Sequence, residues 1–177
     1  MLFRSIDDAV TARSAANKAE ASRIYRETMG SPEAQYVQIP DELSGNTAIR
    51  NAQKDVETNL RDLKTKYGYD DIDIIPPTAG SAPIKDPFTG QVRQEAVPPT
   101  NGNLAYWDMV KKRLWDMSQE AGSQTLEGIS ANNARKSLTT HLDNEVPGYQ
   151  NARDAHIESI GQLDASNVGR EIGRAHV

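Results

Sequence analysis

The residues able to do chemistry are few. His141 and His156 each stand two positions ahead of a carboxylate, Asp143 and Glu158. An imidazole beside a carboxylate is half of a metal site, or a general base with its orienting partner. Residues two apart do not share a helix face, however, and neither histidine stands in H-E-x-x-H. Two isolated imidazoles also fall short of the usual zinc ligand set. The spacing therefore predicts helix-surface or partly packed histidines. Asp70, Asp71 and Asp73 form an acidic cluster. A calcium loop needs alternating oxygen ligands, a central glycine and a terminal glutamate, and that pattern is absent. A solvated turn is expected there.

Lys111-Lys112-Arg113 between Trp107 and Trp115 has the ingredients for nucleic-acid stacking. Trp107 falls on an apolar arc with Leu114, which predicts core. Lys112 and Arg113 are expected on a polar side, and Lys112 is spaced to pair with Asp108 and Asp116 at i, i+4. A nucleic-acid partner is accordingly not expected. Carboxylates are plentiful, but a glycosidase pair is defined by separation in space, so abundance carries no weight. No phosphate loop, nucleophile elbow or kinase set is present. No catalytic, cofactor-binding or metal-ligating residue is assigned, and no small-molecule substrate is expected.

The elements that would hold any site are helical. Of 177 residues 37% are hydrophobic and 6% aromatic, a thin core for the length; globular domains run to roughly 45–50% apolar. An elongated assembly of helices is expected, with apolar stripes that need neighbours. Net charge is −5, and no basic block exceeds three residues. There is no cysteine, which excludes disulfides and thiolate chemistry. No apolar run approaches the roughly 20 residues that cross a bilayer, so a soluble chain is expected. MLFRSIDDAV lacks the apolar centre of a signal peptide.

Residues 5–29 read as an alanine-rich helix capped by Ser5 and ended by Gly30, gripping through Ile6, Val10, Ile24 and Tyr25. Ser31-Pro32-Glu33 opens a short turn of helix, residues 37–40 must be extended before Pro40, and Asp41 to Ser44 is one turn closed by Gly45. Ile49, Ala52, Val56, Leu60, Leu63 and Tyr67 mark one face of a helix over 47–67. Prolines at 76, 77, 83, 87, 98 and 99 break residues 69–101 into a connector. Within it Asp86-Pro87-Phe88-Thr89-Gly90 is a turn between flanks that could pair as a small β-hairpin.

A helix over 102–121 presents Leu104, Trp107, Val110, Leu114, Trp115 and Met117 as a packing face, interrupted by Lys111 and Ser118. A helix over 125–145 uses Leu126, Ile129, Ala134, Leu138 and Leu142. Pro147 opens a last one with Tyr149, Ala152, His156, Ile160 and Leu163 on one side. The fold class is thus mainly α. Residues 1–68 form an N-terminal helical region, 69–101 a proline-rich connector, and 102–170 a C-terminal unit of three helices. Ile172-Gly173-Arg174-Ala175-His176-Val177 match, in one reading frame, the start of a common sequencing-library adapter, with Glu171 supplying a compatible codon. Residues 171–177 are therefore set aside, Arg174 and His176 enter no site, and the natural chain is expected to continue past Arg170.

The stretch Leu104-Ala105-Tyr106-Trp107-Asp108-Met109-Val110-Lys111-Lys112-Arg113-Leu114-Trp115-Asp116-Met117 resembles a recurring helix of long phage and prophage proteins. Ala134-Arg135-Lys136-Ser137-Leu138, Leu142-Asp143 and Val146-Pro147-Gly148-Tyr149-Gln150-Asn151-Ala152-Arg153 follow as in that module. Upstream, Arg23-Ile24-Tyr25, Ile39-Pro40 and the helix over 48–67 occur in the same order, so the resemblance covers most of residues 20–160. It implies a non-enzymatic segment of a virion-associated or DNA-ejection (internal virion) protein, made in the bacterial cytoplasm and carried in the particle. Its implied partners are other segments of the same long chain, other virion proteins, or further copies of itself. Two alternatives stay open: an interaction module of a secreted or toxin-like bacterial polypeptide, and the non-catalytic part of a truncated peptidoglycan-cleaving phage enzyme.

Overall fold

The computed structural model describes residues 2–78, 81–85, 92–96 and 101–158, and is mainly helical. Helix α1 is Leu2–Met29, followed by a 3₁₀ turn at Pro32–Gln35, α2 at Asp41–Ser44, α3 at Thr47–Thr58 and α4 at Leu60–Tyr67. Strands β1 (Ser81–Lys85) and β2 (Val92–Ala96) pair antiparallel, with Ser81 opposite Ala96 and Lys85 opposite Val92. Helix α5 is Leu104–Ala121, α6 is Leu126–Glu145, and residues 149–158 form α7.

Punctuation residues set these bounds. Ser31 accepts from the Ala34 amide at 3.3 Å and starts the 3₁₀ turn at Pro32. Asn46 caps α3 on the Ala48 and Ile49 amides, Asn103 caps α5 on Tyr106, and Thr125 caps α6 on Gly128. Gly68 takes φ 75°, a left-handed conformation that closes α4 and turns Tyr69 into the interior.

The chain divides into two compact units. Unit 1 is Met1–Gly30 with Pro147–Val177, and unit 2 is Ser31–Val146. In unit 1 the Tyr25 and His156 rings lie 5.8 Å apart, tilted by 37°. Ala21, Met29, Tyr149 and Ala152 are buried, while Ala12, Ala15, Ala16 and Ala19 are exposed along α1. In unit 2, α5 is the hub: α3, α4, α6 and the 3₁₀ turn all contact it. Ile49, Ala52 and Val56 of α3, and Ala131, Ala134, Leu138 and Leu142 of α6, fill the core around it.

Several expectations need correction. The first helix begins at Leu2, so Ser5 does not cap it; the side chains of Ile6 and Val10 lie outside the described residues. The helix over 47–67 is broken at Asn59, which bonds back to the Asp55 carbonyl through its own side chain at 3.1 Å. Asparagine competes with the helical ladder in this way. Beyond the break Leu60, Leu63 and Tyr67 are only half-buried.

The three-helix unit is not formed as drawn. Val146 is extended and Gly148 takes φ 85°, which ends α6, and α7 falls in unit 1 with α1. The connector does not separate domains either, because residues 69–78 belong to unit 2 and α3 packs on α5 across them. Ile160, Leu163 and residues 171–177 lie outside the described residues.

Candidate functional site: the surroundings of α5

Every residue from Leu104 to Lys111 is buried. Within this half of the helix sits Asp108, with no exposed surface. The Tyr69 hydroxyl donates to its carboxylate, Lys111 pairs with it, and Lys112 approaches to 3.6 Å. The Lys112 ammonium also lies 4.4 Å from the centre of the Tyr69 ring, within cation–π range. Burial lowers the pKa of Lys112, against the opposing pull of the Asp108 charge. A buried carboxylate survives only when paired and hydrogen-bonded, and here α5 supplies the two lysines and the turn after α4 supplies the tyrosine.

A second cluster ties α4 and α3 to the outer side of α5. Asp116 accepts from Lys66 at 2.6 Å and from the Tyr67 hydroxyl at 2.5 Å. Burial alone would raise the Asp116 carboxyl, but these two donors and the Lys66 and Arg113 charges outweigh it and hold its pKa low. The Tyr67 phenol is pushed up, first by burial and then by Asp116. Arg113 bridges Asp55 at 3.0 Å and Glu120 at 2.8 Å. The Tyr106 hydroxyl donates to Glu57 at 3.0 Å, and burial pushes that phenol up.

Asn103 joins the chain before α5 to residues 73–75. Its side chain donates to the Asp73 carbonyl at 2.8 Å and accepts from the Ile75 amide at 3.1 Å, while its own amide donates to the Ile75 carbonyl at 2.9 Å. On the other flank the Val37 amide donates to the Gly102 carbonyl at 3.1 Å. The buried Trp107 Nε1 has no hydrogen-bond partner among the described residues.

Beside the second cluster, and sharing Arg113 and Glu120 with it, an open groove of about 570 Å³ runs between α3, α5 and α6. Thr47, Ala48, Met117, Ala121, Leu126 and Ala131 line it, with Arg113, Glu120 and Glu127 as its charged groups. Leu126 is 86% exposed at its edge.

The structure spreads the expected packing face over different surroundings. Leu104, Trp107, Val110 and Leu114 are buried, and Met117 is half-buried in the groove. Trp115 is not in the core: it is 48% exposed and carries the Arg135 guanidinium 5.1 Å from its ring. On α6, Leu126 and Ile129 likewise lie outside the core, because that helix buries the side bearing its alanines. Asp116 takes Lys66 and Tyr67, not Lys112. Lys112 leans over Tyr69 where a solvated polar side was expected, and the three basic residues are all engaged by carboxylates.

His141 donates from Nε2 to the Gln38 carbonyl at 2.6 Å, and His156 lies against Tyr25. Asp70 accepts from the Thr65 hydroxyl at 2.8 Å. Among the described residues no group of three His, Cys, Asp or Glu could hold a metal ion, and no helix is long and apolar enough to cross a membrane.

Residue spacing did not reveal that Asp108 is buried. The available signal was its place inside Tyr106-Trp107-Asp108-Met109-Val110, a run apolar on both sides. Comparison with family models, with curated proteins and with solved structures finds no match to this chain.

Proposed function

We propose that the chain is a non-enzymatic structural segment of a long phage or prophage particle protein, of the virion-associated or DNA-ejection type, working through helix–helix association. It is made in the bacterial cytoplasm and carried in the particle. The observation that supports this reading is the use made of α5, a helix that resembles one recurring in that class. Several of its charged side chains reach neighbouring segments: Asp108 meets Tyr69 after α4, Asp116 meets Lys66 and Tyr67 of α4, and Arg113 meets Asp55 of α3. Such a helix organises its neighbours and leaves contacts with other chains to the remaining faces.

The test is to sequence the genomic region on both sides of the coding segment and to search purified particles for its peptides by mass spectrometry. Portal, capsid and tail genes alongside, with peptides recovered from particles, are expected. An immunity-type gene alongside and no particle peptides would turn the reading to a secreted interaction module. A peptidoglycan-cleaving domain in the same frame would make the chain the non-catalytic part of an enzyme.

A further inference from the structure

We propose that the groove between α3, α5 and α6 is a docking site for a helical segment of another protein that presents a leucine-like apolar side chain one turn from a lysine or arginine. This rests on the helix-association part of the function proposed above and gives its partner a chemistry. Two features of the groove select that occupant.

The first is apolar surface left open. Met117, Ala121, Leu126 and Ala131 come together from two helices, and Leu126 is 86% exposed beside the cavity. The groove's volume of about 570 Å³ accommodates a few large side chains but not a folded domain. An amphipathic helix laid in a groove contributes such anchors at i, i+3 and i+4.

The second is the sign of the charge. Arg113 is the groove's one cation among the lining residues, and it is already held by Asp55 and Glu120. Glu120 and Glu127 also line it, which leaves the lining acidic, with Glu127 outside any ion pair among the described residues. A partner cation one helical turn from the apolar anchor meets Glu127 while the anchor covers Leu126. A second copy of this chain fits less well, because a symmetric contact would bring one acidic lining against another.

The probe is a lactam-bridged helical peptide of leucine and lysine, titrated into the whole chain and followed by chemical shifts and by tryptophan fluorescence. The comparison peptide has every lysine replaced by glutamate. Leu126→Ser and Glu127→Gln remove the two features. Glu42→Gln is the control, since it also removes one acidic residue from the first turn of a helix. Shifts confined to the groove are expected, together with about tenfold weaker binding in Leu126→Ser. Glu127→Gln should weaken binding about threefold or more, while Glu42→Gln binds as the parent does.

Equal weakening in Glu127→Gln and Glu42→Gln would overturn the proposal, because attraction to the overall negative charge would then explain binding. Equal affinity for the glutamate peptide would overturn it too. So would a concentration-dependent dimer broken by Leu126→Ser, which would assign the groove to a second copy. None of these outcomes bears on whether the chain is found in particles, so the two readings fail separately.

Discussion

Replacing Asp108 by asparagine keeps the side chain's shape and removes its charge. The carboxylate is fully buried, and Lys111 and Lys112 have only 11% and 30% of their side chains exposed. After the change Tyr69 still finds an oxygen acceptor, but the two ammonium groups lose the Asp108 charge. Removing one member of a buried pair costs about 3–5 kcal/mol. The retained Tyr69 bond and the partial hydration of Lys112 place the expected loss near the lower end, about 3 kcal/mol.

With a urea slope of about 1–3 kcal/mol per molar, the unfolding midpoint should fall by roughly 1–3 M. Tryptophan fluorescence is the assay, because both tryptophans, Trp107 and Trp115, lie in unit 2. A midpoint drop under about 0.5 M in Asp108→Asn, with the helical spectrum unchanged, would refute the reasoning and mean that water reaches the cluster.

A Cβ on Gly128 would lie 2.0 Å from the carbonyl oxygen of Gly122, where α6 follows closely on α5. Gly128→Ala should cost about 3 kcal/mol and lower the melting temperature by roughly 10 °C, read by the same fluorescence in a thermal scan. Removing the Lys66 cation by Lys66→Met takes away the first of the interactions that hold Asp116 low, so its carboxyl should titrate at higher pH in a carbon-detected NMR titration. Asp116 stabilises the fold above its ordinary pKa, and that contribution is lost as pH falls through its lowered value; the variant should lose it at higher pH. The raised Tyr106 phenol stabilises the fold below the ordinary tyrosine pKa, a contribution lost as pH rises from there towards the raised value. Urea midpoints measured from neutral pH to beyond about pH 10 should therefore fall less steeply in Tyr106→Phe than in the parent.

Much of the local structure was legible because its signals are local. Gly45, Gly68 and Gly122, with Ser31 and Asn103, punctuate the chain where helices stop and start; the glycine amides donate to carbonyls, and the two caps accept from amides, within a few residues. Periodicity also identified the buried stripe Ile49, Ala52, Val56. It failed where burial is decided by a distant partner. Spacing showed Asp108 only as a partner for Lys112, because Tyr69, which donates to it, stands 39 positions away. Trp115 was placed on the packing face because a helical wheel gives its angle beside the apolar arc and not its neighbours; the group that meets it is Arg135, on another helix. The groove depends on the placing of three helices, which no single stretch of sequence records.

Unit 1 is assembled from both ends of the described chain, and this gives its stability an unusual dependence. Tyr25 and His156 can meet only if the long stretch between them is first looped, at an entropic cost that grows with its length. Unit 2 shortens that loop. The His141–Gln38 hydrogen bond alone draws together positions 103 apart, just inside the two points where the chain passes between units. Once unit 2 has folded, the residual loop is several times shorter, and the effective concentration of α1 and α7 for each other rises by a factor worth roughly 1 kcal/mol. Unit 2 therefore acts as a template for unit 1, and an injury to the α5 core should also loosen a helix pair remote from it in sequence.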